Sequence, residues 1–279
     1  MCNLMSNYLS KVVLLLLLCF QTGYTAAQNT SKPFNELQED AIAQLLEHIG
    51  IAGAIDQVDK IILQTLASSD FTAANQSAEQ LNLEKLMAAS SGDLVLAATT
   101  AYVAQNNPLS PEQINALLDN ELASRVRNFD VSLEMDKAFE KYEAYQHKLS
   151  QNPVEESRIE LMQRIDTALQ GSVIAALLQT ELEKTMTAIQ ARMAGRSSAL
   201  AAQQYGEKRQ ELRQQHMASI AVQLHIFSYR FMKDQELQAY VEWLEADDVQ
   251  TVLAVCVAGL QQALRANRAM ALQQVKPAM

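Results

Sequence analysis

The chain has 279 residues, 49% of them hydrophobic, with eight Gly, five Pro and a formal net charge of −10. So few turn-formers, and no proline between Pro153 and Pro277, argue against sheet hairpins and disorder and read as a helix composition. The acidic balance also works against nucleic acid, whose phosphates are held by Lys and Arg, and no basic stripe reverses it locally.

Lys11 is followed by VVLLLLLCF at 12–20. Nine apolar residues rise only about 14 Å as a helix against roughly 30 Å of hydrocarbon, so the run reads as the core of a signal peptide (residues 1–27) rather than a membrane span. Behind it, Thr25 and Ala27 are the small residues of a cleavage site, and the cut is expected after Ala27. A lipid-modified Cys19 would need a small residue before it, and Leu18 stands there. Cleavage removes Lys11, Cys2 and Cys19, which turns −10 into −11 and leaves Cys256 as the single thiol. Without a disulfide the fold must rest on its core, and an unstapled exported chain fits a Gram-negative periplasm. The expected place is periplasmic or secreted, with no transmembrane anchor after cleavage. The sequons at Asn29 and Asn75 matter only in a glycosylating host.

Capping chemistry then divides the rest into about ten helices. Asn35 precedes a helix whose Leu37, Ala41, Ile42, Leu45, Leu46 and Ile49 share a face, and Gly50 ends it. Ile51, Ala54, Ile55, Val58, Ile61, Ile62 and Leu66 carry a second. Ser77 with Gln80 makes a capping box for a third, which stops near Gly92, and Asp93 opens a fourth to Gln105. In SPEQ, Ser110 caps, Pro111 takes the first helical position and Gln113 reaches back, starting a helix expected to run to Asn128. A further helix carries Phe139, Tyr142 and Tyr145 to Ser150, and Asn152 with Pro153 starts the next, which Gly171 ends. Ser172 opens another, a long helix spans Ser197 to Met232, and the last two begin at Asp234 and Asp247. Short loops between amphipathic helices predict an all-α fold, a multi-helix bundle or stacked helical hairpins. PEQINALL at 111–118 and DQELQAYV at 234–241 share a cap and aliphatic offsets, so two related helical halves, 28–150 and 151–279, are expected within what is also readable as one continuous domain.

Chemistry is sparse. His48, His147, His216 and His225 are scattered, and His216 and His225, nine apart on one helix, point to opposite sides; they read as exposed or singly hydrogen-bonded. No Gly-x-Ser-x-Gly turn or Gly-rich phosphate loop occurs. No catalytic residue, metal ligand or cofactor is assigned. Asp56 with Asp59 and Glu242 with Glu245 have the spacing of solvated faces, and Glu121 with Arg125 and Glu160 with Arg164 that of surface pairs. Arg158 projects into the apolar stripe of RIELMQRIDTAL, with Asp166 at its edge; this reads either as a buried ion pair marking a pocket or as an arginine laying its stem on the core. Phe227, Tyr229, Phe231, Tyr240 and Trp243 line a groove or build a helix–helix core. Cys256, in VLAVCVAGL, is either a reactive thiol or a small apolar residue. The run YGEKRQELRQQH at 205–216 reads as a solvated face.

MKDQELQAYVEWLEADDVQTVLAVCVAGL at 232–260, with LLEHIGIAGAIDQV at 45–58 and RIELMQRIDTAL at 158–169, resembles a family of exported bacterial helical proteins built on a domain of unknown function numbered two-zero-five-nine. Where that family shows a short Ser-Pro-x-Gly between its last two helices, Ala246, Asp247, Asp248 and Val249 stand here. The resemblance implies an exported helical fold and no particular reaction. The expected function is accordingly a non-catalytic exported protein that binds another protein or an envelope component through a groove between helices. The alternatives are an envelope-associated hydrolase with a dispersed site and a carrier of an apolar ligand.

Overall fold

A computed structural model describes residues 34–56, 58, 59, 62, 91–131, 135–199 and 207–275. The apolar run at 12–20, the cut after Ala27, both sequons and the box at Ser77 and Gln80 lie outside these residues. The protein is all-helical, with eleven helices among the described residues. They are α1 Phe34–His48, α2 Ile51–Ile55, α3 Gly92–Asn106, α4 Pro111–Leu118, α5 Glu121–Val131, α6 Met135–Gln151, α7 Glu156–Leu169, α8 Gly171–Met193, α9 Glu207–Ser228, α10 Asp234–Leu244 and α11 Asp247–Gln273.

Local chemistry sets the boundaries. α1 buries Ile42, Leu45, Leu46 and Ile49 and ends through Gly50, which sits at φ 83°, a conformation that a Cβ would penalise. At α4 both halves of the capping box form, Gln113 N–H donating to Ser110 Oγ and Ser110 N–H to Gln113 Oε1 at 2.9 Å.

Elsewhere the boundaries differ from expectation. The cap of α3 is Ser91, with Gly92 already helical, rather than Asp93. The segment expected to run unbroken to Asn128 breaks at Asp119, and Asn120 caps α5 by accepting the Ala123 N–H at 2.8 Å. α7 begins after Glu155, three residues later than Asn152. It is Gln170, at φ 54°, that ends α7, and Gly171 starts α8 because a Cβ there would lie 2.9 Å from Asp166 Oδ1. α9 stops at Ser228, short of Met232, and a turn follows.

α8 sits at the centre: 17 of its 23 residues are buried, on every side, against α7, α9 and α11. α11 also packs along α3, where Gly259 lets the helices close; a Cβ there would lie 2.8 Å from the Tyr102 ring. One apolar core runs from Ile42 to Val275, and a smaller one gathers Tyr142, Ala175, Ala176, Met217, Ala221, Leu224 and Phe227. Each fully buried Leu or Ile contributes about 1.5–3 kcal/mol over leaving it in water. Among the described residues α11 alone is long and apolar enough, by length and composition, to cross a membrane. Its apolar stripe, Val249, Val252, Leu253, Cys256, Leu260 and Leu264, faces the core instead.

α1 packs on α2, α3, α4 and α5, and α7 packs on α8, α9 and α10. At an offset of 120 positions, Ile42, Leu45, Leu46 and Ile49 fall on Met162, Ile165, Asp166 and Leu169, all buried, and Gly50 falls on Gln170.

Candidate functional site

The turn after α9 organises the site. Where a helix stops, the carbonyls of the turn that follows need donors that the helix no longer provides. Arg158, in the first turn of α7, supplies them: one terminal nitrogen donates to the carbonyls of Tyr229 at 2.6 Å and Met232 at 3.1 Å, and the other pairs with the Asp234 carboxylate in the first turn of α10. Its side chain is 17% exposed, so the guanidinium is a half-buried clamp between α7 and the α9–α10 turn rather than a head in bulk water. Its partner is Asp234, not Asp166. Arg158 is also one wall of an open pocket of about 460 Å³ lined by Tyr145, Lys148, Glu155, Arg230 and Asp234.

Beside the clamp, Arg230 donates to the Phe227 carbonyl, and its guanidinium carbon lies 4.2 Å from the Phe227 ring centroid and 4.4 Å from that of Phe231. Such cation–π contacts contribute about 0.5–1 kcal/mol each at exposed sites. Phe231 is 72% exposed. One-turn spacing from Phe227 predicted a core position for it, but α9 has already ended, and the ring covers Arg230 instead.

The remaining aromatics divide. Phe227 is buried against Tyr142, edge to face at 5.5 Å, and Tyr145 at 5.4 Å. The Tyr142 hydroxyl accepts from Gln146 Nε2 at 2.7 Å and lies 3.1 Å from Gln223 Oε1. Tyr229 meets Tyr240 at 6.5 Å, Tyr240 stacks on Trp243 at 5.9 Å, and Trp243 meets His48 edge-on at 6.2 Å. Tyr229 and Tyr240 thus belong to the main core, with Trp243 packed against it, and Phe227 to the smaller one. The five do not line one groove.

Asp166 and His225 form a separate, buried pair, 4% and 6% exposed, with His225 Nε2 4.0 Å from Asp166 Oδ1. Asp166 Oδ1 accepts the Ser172 N–H at 2.9 Å, holding the first turn of α8. Burial pushes the Asp166 carboxyl up, against the hydrogen bonds from Ser172, and pushes the His225 imidazole down to about 4. At neutral pH His225 is therefore uncharged, stacked on Tyr229 at 5.5 Å, with neither ring nitrogen hydrogen-bonded. The sequence reading of His225 as exposed or singly hydrogen-bonded is corrected here. The signal was its setting in IAVQLHIF, an apolar run. Ser172, Asp166 and His225 share a neighbourhood, but the hydroxyl-bearing residue touches the carboxylate rather than the imidazole that would have to activate it.

Other candidates resolve into structure. Asp59 accepts the Gly92 N–H at 2.7 Å and secures α3. Arg125 reaches Glu236 of α10 at 2.8 Å and Arg164 reaches Glu245, which caps the end of α10, at 2.8 Å, rather than pairing along their own helices with Glu121 and Glu160. Cys256 is fully buried and its thiol pushed up to about 12, which leaves it protonated and unreactive. Sequence reasoning missed Glu181, a buried carboxylate on α8 that pairs with Lys184 at 2.7 Å and with Arg268 of α11. Among the described residues no cluster of three or more His, Cys, Asp or Glu is placed to hold a metal ion. No protein-family model, curated protein or solved structure matches the chain, so the family resemblance rests on the segments quoted above and the site is read from its own chemistry.

Proposed function

We propose that this is an exported, non-catalytic protein that binds another protein or an envelope component through the face around Phe231. The exposed ring is the observation that carries the reading: a phenylalanine 72% open to solvent, seated on Arg230, which lines a pocket, is the most exposed large hydrophobic side chain among the described residues. Export rests on the apolar run at 12–20 followed by Thr25 and Ala27. The Ser172–Asp166–His225 contacts favour binding over hydrolysis, because Ser172 contacts the carboxylate and not the imidazole that would have to take its proton.

The test is a photo-crosslinking amino acid placed at Phe231 in living cells, with the same group at Gln262, an exposed position of α11, as the control. A discrete adduct at 231, absent at 262 and lost on Lys148→Glu, is the expected result. No adduct at 231, together with turnover of an ester or peptide substrate that His225→Ala abolishes, would reverse the ranking toward a hydrolase.

A further inference from the structure

We propose that the contact between His225 and Asp166 is an acid-operated latch: charging the imidazole opens the seam where the end of α9 lies against the α7–α8 joint, ahead of any loss of the main core. The proposal stands apart from what the Phe231 face binds. His225 lies one turn before α9 ends at Ser228, buried, with its ring stacked on Tyr229 and neither nitrogen hydrogen-bonded. An imidazolium donates at both nitrogens, so it needs two acceptors in a place that offers the neutral ring none. The acid in reach is Asp166 Oδ1, 4.0 Å from Nε2 and too far for a hydrogen bond. That oxygen is already used: it accepts the Ser172 N–H at 2.9 Å, and a Cβ on Gly171 would meet it at 2.9 Å.

The other charged and titratable groups around the seam are committed elsewhere. From α7, Arg158 holds the Tyr229 and Met232 carbonyls and Asp234, which keeps a cation on the turn that follows α9. From α8, Glu181 and Lys184 pair with each other nine and twelve residues beyond Ser172. α9 itself contributes Tyr229, Arg213 pairs with Glu183 far back along it, and Arg230 donates to the Phe227 carbonyl. α10 contributes Tyr240, set against Tyr229. A charged imidazole therefore takes Oδ1 from the Ser172 N–H or draws water into the seam. Both loosen the start of α8, because Gln170 makes no side-chain cap there and Asp166 holds the first turn. Leu224 and Phe227, on this part of α9, belong to the smaller core, so the seam can part while α3 and α11 stay packed.

Burial holds the imidazole at about 4, against about 6.5 in water. Through His225 alone, an opening that wets the ring is thus favoured about thirtyfold more at about pH 5 than at about pH 7.5. Asp166, pushed up by burial, works in the opposite direction and reduces the expected rise to about tenfold. Hydrogen exchange of the purified protein, followed by NMR, reads the opening at the Ser172 N–H, with the Ile114 N–H in the first turn of α4 as the control. Between those two pH values, after correction for the intrinsic chemistry of exchange, Ser172 protection should fall about tenfold and Ile114 protection by less than about twofold. His225→Gln, or His225→Leu if the glutamine variant does not fold, should abolish the fall. Acid-independent protection of Ser172, a fall that persists in the variants, or a fall shared equally by Ile114 overturns the proposal. So does Ser172 exchange that climbs with urea as steeply as that of the most protected amides, since the seam would then open only with the whole fold.

Discussion

At the α1–α2 joint the chain turns through Gly50 and buries Leu46, while α3, three residues before its end, buries Val103; at the α7–α8 joint it turns through Gln170, and the same two places hold Asp166 and His225. At these two positions the apolar version has buried aliphatic side chains and nothing to titrate. The polar version anchors the start of α8 through Ser172, but it leaves an imidazole without a hydrogen bond, at a cost of about 1–3 kcal/mol. One pair of positions has nothing to titrate, the other has, and its imidazole lies on α9 shortly before the turn beside the pocket.

The largest effect is expected from carrying the polar solution into the apolar joint. Leu46→Asp buries a carboxylate with no Ser172 counterpart, and should cost about 3–5 kcal/mol in urea unfolding at neutral pH. A loss under about 1 kcal/mol would show that the two joints are not enclosed alike.

The comparison sharpens with pH. An unfolded chain takes up the His225 proton near 6.5 and the folded chain only near 4. Stability from this residue is therefore intact above 6.5, declines as pH falls through the window and is lost below 4, by about 3 kcal/mol at most. Asp166 works in the opposite direction, because its raised folded pKa favours the folded state on acidification, and an imidazolium 4.0 Å from a remaining carboxylate would offset part of the loss. His225→Leu should flatten the fall in urea midpoint between these pH values, and an unchanged profile would place the acid sensitivity elsewhere.

The seam between the two regions comes next. Gly259→Ala drives a Cβ into the base of the Tyr102 ring and should cost about 1–3 kcal/mol, with Tyr102→Ala in the same chain recovering part of it. Losses that simply add would argue against the close approach of α3 and α11. The smallest effects belong to the joints themselves. Gly50→Ala should destabilise by about 1–2 kcal/mol, whereas Gln170→Gly should be neutral or stabilise by up to about 1 kcal/mol, since glycine removes left-handed strain but adds unfolded entropy. Thermal melts of the pair should move apart or, if left-handed strain is irrelevant, together.

Much of the helical fold was legible because its signals are local. The Ser110 box and Gly50 act within four residues of themselves, and the stripe of α1 is a period-3.6 pattern. Gly171 misled for a tertiary reason: its missing Cβ makes room for an oxygen of Asp166, while the left-handed residue is the less conspicuous Gln170. Asn152 looked like a better cap than Glu155, yet the backbone stays non-helical through Val154. At the site, the oddity of Arg158 was visible, but its partners were not: Tyr229, Met232 and Asp234 follow it by 71 to 76 residues. Arg125 and Arg164 posed the same difficulty, each with an acid at helical spacing and a different one across the interface.

Cys256 carries a practical consequence. A chain beginning at Gln28 contains no other sulfhydryl, and this one is sealed in the core with its thiol held protonated at any pH near neutrality. Such a shortened chain is a silent background for maleimide chemistry, and a cysteine introduced at Phe231 or Lys148 can carry a fluorophore or spin label that reports on that position alone.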